Sequence, residues 1–535
     1  MFFGKFEEEL SHGPLLRIHK KSGSEGSEHG EILHTTDNDK QDDKEEEDHE
    51  VKKVKFKSLW PAFVSGAGLF SEGYINNSIS PVNSCLKKLY KQQYTNSSAI
   101  SNVSALVFVG TVVGQLGFGF ISDHVTRKTG MMTANVILIL FTILCACGTW
   151  GAHGSAYGLF TALTVFRFFL GIGIGAEYPT SSVIAAEFAN QLPSGHRNRY
   201  FCWFTNAMID VGYVISSFVA LVLLWIFRDT PTHRLTPVWR LSIGLGAIPP
   251  ISLFFMRLKI GESESYQKTR FRNAKQVPYW LVIKFYWVRL LTISLLWFVY
   301  DFSTYSFSTF STTILEAVVP DGDMYKTFGW NVVFNLFYIP GAFLGALGAD
   351  YFGPRLCVAF GTLFQGIIGF IIGGCWEQLN KHIAAFVVVF GIFQSLGEFG
   401  PGDNMGALAS KTSATSIRGE YYGIAAAMGK IGAFVGTYVF PIIQRQHGLK
   451  ATFQVSSSLC ILSAVVALVV CPSVTQNSLD NENESFINYL QEKGYDISGL
   501  GSKVTHDEES STDSATVEKK ADTDDVKVEA KDLNN

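Results

Sequence analysis

Charged side chains buried in long apolar runs are the residues through which this 535-residue chain could do chemistry. Glu72 lies in Gly68-Leu-Phe-Ser-Glu72-Gly73-Tyr74. Arg167 opens Arg167-Phe-Phe-Leu-Gly-Ile-Gly-Ile-Gly-Ala-Glu177-Tyr178. Asp210, Asp301, Asp403 and Lys430 sit in four further runs. A charge at bilayer depth costs at least about 2.5 kcal/mol and usually marks a pathway for ions or substrate. Trp297, Asp301 and Tyr305 recur at spacing four, so an aromatic–acid–aromatic row shares one helix face. The ring edge and hydroxyl can donate to an anion such as phosphate while the acid carries a proton. Lys430, in Met428-Gly429-Lys430-Ile431-Gly432, is either the counter-charge for an anionic substrate or a partner for Asp301 or Asp403. The two roles can alternate.

Glu72 and Arg167 are expected at one depth, because their helices run in opposite directions. A carboxylate beside an arginine keeps its charge and takes a proton more readily once the two separate. Such a pair can load and release protons; a permanent structural pair is the plainer alternative. Glu177 and Tyr178 follow three alternate glycines and are expected to face the centre if those glycines pack inward. The glycines themselves do not make a nucleotide loop, which should follow a strand, open a helix and face water. Inside an apolar helix they let a neighbour approach. Gly400-Pro401-Gly402, before Asp403, breaks a helix ladder, which a membrane tolerates only beside protein or a wet cavity.

Composition identifies the elements that position these residues. The chain is 47% hydrophobic with 43 Phe and 50 Gly, and 17% charged against about 25% in soluble domains. Twelve apolar runs long enough to cross a bilayer centre near residues 70, 110, 140, 170, 212, 248, 300, 338, 365, 395, 430 and 460. The expected class is an all-α membrane protein, twelve transmembrane helices in two six-helix halves. The tails, 1–56 and 472–535, are polar and acidic, except that Phe486-Ile-Asn-Tyr-Leu490 suits a short amphipathic helix. The halves span 57–258 and 285–471, joined by a central loop over 259–284. Basic residues before the first run and around that loop put both tails and the loop in the cytosol by the positive-inside rule. Lys87, Lys88 and Lys91 dissent, but their loop also carries a glycosylation acceptor at Asn96, meaningful only outside.

The halves repeat one feature. Gly119-Phe-Ile-Ser-Asp123-His-Val-Thr-Arg127 ends the second run, and Gly348-Ala-Asp350-Tyr-Phe-Gly353-Pro-Arg355 ends the eighth. Each sets a carboxylate and a cation around a tight turn that can gate the cytosolic side. Repeated halves of this kind place a substrate near the midplane between them. The eight cysteines form no Cys-x-x-Cys and read as small apolar residues. No nucleophile–base–orienter set and no metal cluster appears, so an enzyme is not expected. Neither a metal nor another cofactor nor a nucleic-acid partner is expected.

Several of these motifs together resemble a known family. Gly-Ala-Glu177-Tyr178-Pro-Thr-Ser, Lys284-Phe-Tyr-Trp287, Tyr300-Asp301-Phe302, Gly400-Pro-Gly-Asp403 and Ser416-Ile-Arg418-Gly419 are similar to the fungal glycerophosphodiester permeases. These belong to the phosphate:proton symporter branch of the major facilitator superfamily, and the resemblance spans about residues 59–471. It implies import of glycerophosphocholine or glycerophosphoinositol across the plasma membrane, driven by the proton gradient, for scavenging phosphate, choline or inositol. Phosphate contacts implied by motif are Tyr178, Trp297, Asp301, Tyr305 and Lys430; Glu72, Arg167, Glu177 and Asp301, read from their buried charges, are the groups expected to handle protons.

Two departures carry information. Phosphate symporters place an asparagine where Gly402 stands, and aspartate where Glu177 stands. The missing side chain at Gly402 would leave room for a substituent on the phosphate. Asp210 is an additional acid that suits the quaternary ammonium of choline, so glycerophosphocholine is expected to be slightly preferred; pairing with Arg167 or a proton site are the alternatives. An inorganic phosphate symporter is the nearest rival function, and a nutrient sensor without major flux is a rival of another class.

Overall fold

The computed structural model describes residues 56–497, apart from 96, 194, 228–233, 272–276, 320–322 and 476. Apolar runs become helices because only the internal hydrogen-bond ladder satisfies a backbone surrounded by hydrocarbon. Eleven described helices are long and apolar enough to cross a membrane. They are α2 (Ala99–His124), α3 (Arg127–Cys147), α4 (Ala156–Asn190), α5 (Arg197–Ile226), α6 (Leu235–Arg257), α7 (Tyr279–Thr309), α8 (Met324–Tyr351), α9 (Pro354–Gly374), α10 (Ile383–Lys411), α11 (Thr415–His447) and α12 (Leu449–Val469). Phe56–Gly66 and Leu69–Tyr90 form α1, the twelfth. It misses the apolar standard because its buried face carries Glu72, Asn76, Asn77, Ser80 and Asn83. Glu72, Asn77, Ser80 and Asn83 bond to other helices, and Asn76 is buried among them.

The six helices α1–α6 and the six helices α7–α12 pack as two halves. α2 runs along α11 and α5 along α8, so the seam between the halves lies between these pairs. Leu140, Trp225, Phe255, Leu291 and Phe364 point outward and stay exposed, as a lipid-facing surface requires. The alternate glycines of α4 serve close packing. A methyl group on Gly171 would strike the Val107 carbonyl of α2, and one on Gly175 the Thr111 carbonyl. In water such contact would not need glycine so often; between membrane helices, approach of backbones is the main attraction.

Two wide helical turns interrupt equivalent helices of the halves. Tyr178–Ser182 is a π turn in α4, and Glu398–Gly402 is one in α10. Pro179 and Pro401 each withhold an amide from the ladder there. Such turns re-aim side chains and occur often at functional sites. Both described termini lie at one end of the bundle. There Ser478–Glu492, α13, buries Leu479, Phe486 and Leu490, so the amphipathic segment at 486–490 is a helix lying on the protein.

Candidate functional site

Lys430 of α11 is the hub of the interior. It is 1% exposed. Its ammonium lies 3.0 Å from a Glu72 carboxylate oxygen and 3.1 Å from Asp301 Oδ2. It also donates to the Tyr305 hydroxyl at 2.6 Å, which in turn donates to Glu72 Oε1 at 2.7 Å. The Tyr305 and Tyr178 rings lie 3.8 and 5.1 Å from the ammonium. Helices α1, α4, α7 and α11 thus bring one cation, two carboxylates and two phenols together. Gly429 sits against Trp297, where a side chain would meet Cδ1 at 2.6 Å, so α7 and α11 can close around this row.

A cavity of about 40 Å³ adjoins the hub, room for only a few waters, whereas small-molecule sites usually reach about 300 Å³ or more. This conformation is therefore contracted. Tyr178, Trp297, Asp301 and Tyr305 line it, as do Asp210, Gly402 and Asp403. So do Glu398, Asn206 and Tyr300. Asn206 donates to Glu398 at 3.1 Å and to Asp403 at 3.2 Å, and Tyr300 donates to Glu398 at 2.7 Å. Asp210 is 1% exposed, and neither of its oxygens has a hydrogen-bond partner.

Both ends of the seam are shut. At the end holding the termini, Asp123 of α2 accepts from the Gly419 and Glu420 amides at 2.9 and 2.7 Å. These amides open the first α-helical turn of α11, where a helix favours an anion. Asp350 of α8 does the same for the other half, accepting from the Asn198 amide at 3.1 Å and from Arg199 at 2.6 Å. Each carboxylate therefore caps a helix of the opposite half. Arg127 and Arg418 both bond Glu187, the latter at 3.0 Å, and Arg127 reaches the Thr415 carbonyl at 2.9 Å. The Tyr266 ring lies under Arg127 at 4.2 Å. Burial pushes its hydroxyl up to about 12, so it stays protonated and donates to the Ser122 and Asp123 carbonyls at 3.0 and 3.2 Å.

The other end is closed by hydroxyls. Ser80 meets Ser311 and Thr312, each at 3.0 Å, and Ser84 donates to Glu316 at 2.5 Å. Lys87 donates to Thr313 at 2.6 Å and lies 3.6 Å from Glu316.

Comparison with known proteins agrees with this arrangement. The model of the family "Sugar (and other) transporter" matches twice, over residues 61–281 and 264–486. The chain belongs to that family. It is 59% identical over 467 residues to the major glycerophosphoinositol permease GIT3 of Candida albicans, covering 85% of this chain and 86% of that one. It is 58% identical to the glycerophosphocholine permease GIT4 of the same organism, over 92% and 93% of the two chains. The inorganic phosphate transporter PT2 of Toxoplasma gondii is more distant, at 28% identity over 68% of this chain and 62% of that one. The proton:xylose symporter XylE superposes with a TM-score of 0.67 at 15% identity, over 80% and 98% of the chains, which establishes the major facilitator fold. The chain is a multi-pass membrane protein of a transporter family, not an enzyme.

In this family member, four expectations need correction. Arg167 does not pair with Glu72: Lys430 holds that carboxylate, while Arg167 turns toward Tyr94 and Cys145, and none of its nitrogens finds a hydrogen-bond partner. Nor does Asp210 bond Arg167. Glu177 does not face the centre. It is clamped by Arg257 at 2.6 and 2.8 Å and by Ser181, while its neighbour Tyr178 turns into the cavity. The space at Gly402 is not open either, since a side chain there would meet Glu398 and the Tyr300 hydroxyl. Arg355 donates to the Leu468 carbonyl at 2.8 Å. Asn96 lies outside the described residues. Sequence reasoning missed Arg257, Glu187 and Glu398 as site residues. Arg257 borders the basic central loop, yet it is fully buried between α1, α3 and α4, where it bonds Val64, Asn135 and Glu177. Its position at the last turn of an apolar run was the available signal.

Proposed function

We propose that this chain is a plasma-membrane, proton-coupled importer of glycerophosphodiesters, with both termini in the cytosol. The observation that carries the reading is the sharing of Lys430 between Glu72 and Asp301. An incoming phosphodiester, which keeps its charge where a carboxylate can accept a proton, takes Lys430 together with the Tyr178, Trp297 and Tyr305 donors. The carboxylates it displaces would be left charged and unpaired in a dry interior, so they take up protons instead. Phosphate and proton thereby enter as one load. When the halves part toward the cytosol, water solvates the carboxylates, they release their protons, reclaim Lys430 and expel the diester. No cofactor takes part; the proton gradient supplies the work.

The names of the nearer relatives support the diester class, and glycerophosphocholine is proposed as slightly preferred because Asp210 offers its ammonium a buried anion. An inorganic phosphate symporter is the second reading, favoured by the contact of Glu398 and Tyr300 across Gly402, which fills the space a diester substituent would use. Labelled glycerophosphocholine uptake decides between them in cells lacking their own diester and phosphate importers. Acid-stimulated uptake, blocked by unlabelled diesters and poorly by phosphate, is expected. Uptake of phosphate alone would overturn the diester reading. Absence of any flux, with the protein at the cell surface, would leave a nutrient sensor.

A further inference from the structure

The cavity has a second pole, and its charges do not balance. Among the described residues lining it or bonded into it, five carboxyl groups (Glu72, Asp210, Asp301, Glu398 and Asp403) face one ammonium, Lys430. Lys430 is already divided between Glu72 and Asp301. The other three gather on α5 and at the start and just past the end of the π turn in α10. One amide, Asn206, serves both Glu398 and Asp403; neither oxygen of Asp210 has a partner. All three residues are at most 3% exposed. Three such anions cannot remain charged together in a membrane interior. Something positive must complete the group, and two sources exist: protons, or a cation carried by the substrate. The same wall offers the rings of Tyr213, Tyr300 and Trp297, the surfaces that attract quaternary ammonium ions.

Resting on the diester-carrier reading, we propose that Asp210, Glu398 and Asp403 form a cation subsite at which a substrate's quaternary ammonium takes the place of one proton. A diester with a neutral headgroup, such as glycerophosphoinositol, then travels with the subsite protonated. A zwitterion, such as glycerophosphocholine, travels with one proton fewer, because its own positive charge fills the place. The charge ledger closes. If the anionic diester carries n protons, the moved charge is n − 1. The zwitterion, with no net charge, carries n − 1 protons and moves the same n − 1. Both loads are therefore electrically equal, and one gating cycle serves both. The titratable and charged groups that face this subsite are Cys202 and Tyr213 from α5, Tyr300 and Asp301 from α7, Tyr338 from α8, Cys357 from α9, and Lys430 from α11.

The test uses the full chain in proteoliposomes, in sodium-free buffer, with labelled substrate, an entrapped pH dye and an imposed membrane potential. Glycerophosphoinositol is expected to bring in one more proton per molecule than glycerophosphocholine, with equal charge per molecule. Equal proton numbers, with one more positive charge for glycerophosphocholine, would overturn the subsite while leaving the carrier intact. No flux of either diester would remove the carrier reading and the subsite with it. Asp210→Asn supplies a second readout, because an amide mimics the protonated acid. It is expected to raise KM at least tenfold for glycerophosphocholine and less than twofold for glycerophosphoinositol. An equal change for both would count against the cation role.

Discussion

The two ends of the seam are closed by different chemistry. At the end holding the termini, fully buried Arg127 and Arg418 converge on Glu187, and Asp123 and Asp350 cap helices of the opposite half. At the other end Ser80, Ser84, Ser311 and Thr312 touch through hydroxyls, and the ion pair beside them, Lys87 with Glu316, is 19% and 29% exposed. Hydroxyls lose little when water replaces a protein partner, since a neutral hydrogen bond nets only about 1 kcal/mol. Buried charges behave otherwise, because separation leaves each one stranded until water arrives. The hydroxyl end can open on thermal motion, and the charged end should open only once a load has rearranged the hub. For an importer with its termini in the cytosol, that bias favours waiting with the outer side accessible.

This contrast is breakable by mutation. Glu187→Gln removes the carboxylate that two buried guanidinium ions share, leaving Arg127 with Asp123 at 3.7 Å, and loss of one member of a buried pair costs about 3–5 kcal/mol. Distances between spin labels on α2 and α11 at the termini end should widen in most molecules; an unchanged distribution would mean that packing, not charge, shuts that end. Asp123→Asn and Asp350→Asn should act alike and more weakly, each losing charge-assisted bonds worth about 1.5–3 kcal/mol. A large effect from only one would show that the repeat is not mechanically symmetric. Ser311→Ala, which removes one hydroxyl contact across the seam to Ser80, should shift the open fraction at the hydroxyl end by about tenfold or less, since one neutral bond nets near 1 kcal/mol. A shift as great as that of Glu187→Gln would erase the distinction between the ends.

What the sequence disclosed follows from what periodicity can encode. Trp297, Asp301 and Tyr305 were readable as one face because spacing four fixes their azimuth on α7, and all three line the cavity. The choice among partners for Lys430 was open, and geometry selects Asp301 together with Glu72. Depth along a run was enough to put Glu72 and Arg167 at one level, but depth says nothing of which way each helix is turned, so the inferred pair failed. Glu177 and Tyr178 illustrate the same gap. Neighbours on a helix point about 100° apart, so only one could enter the cavity, and the π turn beginning at Tyr178 selects it. The Asp123 and Asp350 turns were legible as a repeat, whereas their partners across the seam depend on how the halves dock.

The central claim is that Lys430 grips the substrate's phosphate. Binding of glycerophosphoinositol, which offers an anion and no cation, to purified wild-type protein and to Lys430→Gln tests it most directly. At least a hundredfold loss of affinity in the variant, with helical content unchanged, is the predicted result. Undiminished binding would contradict the account and place the phosphate elsewhere.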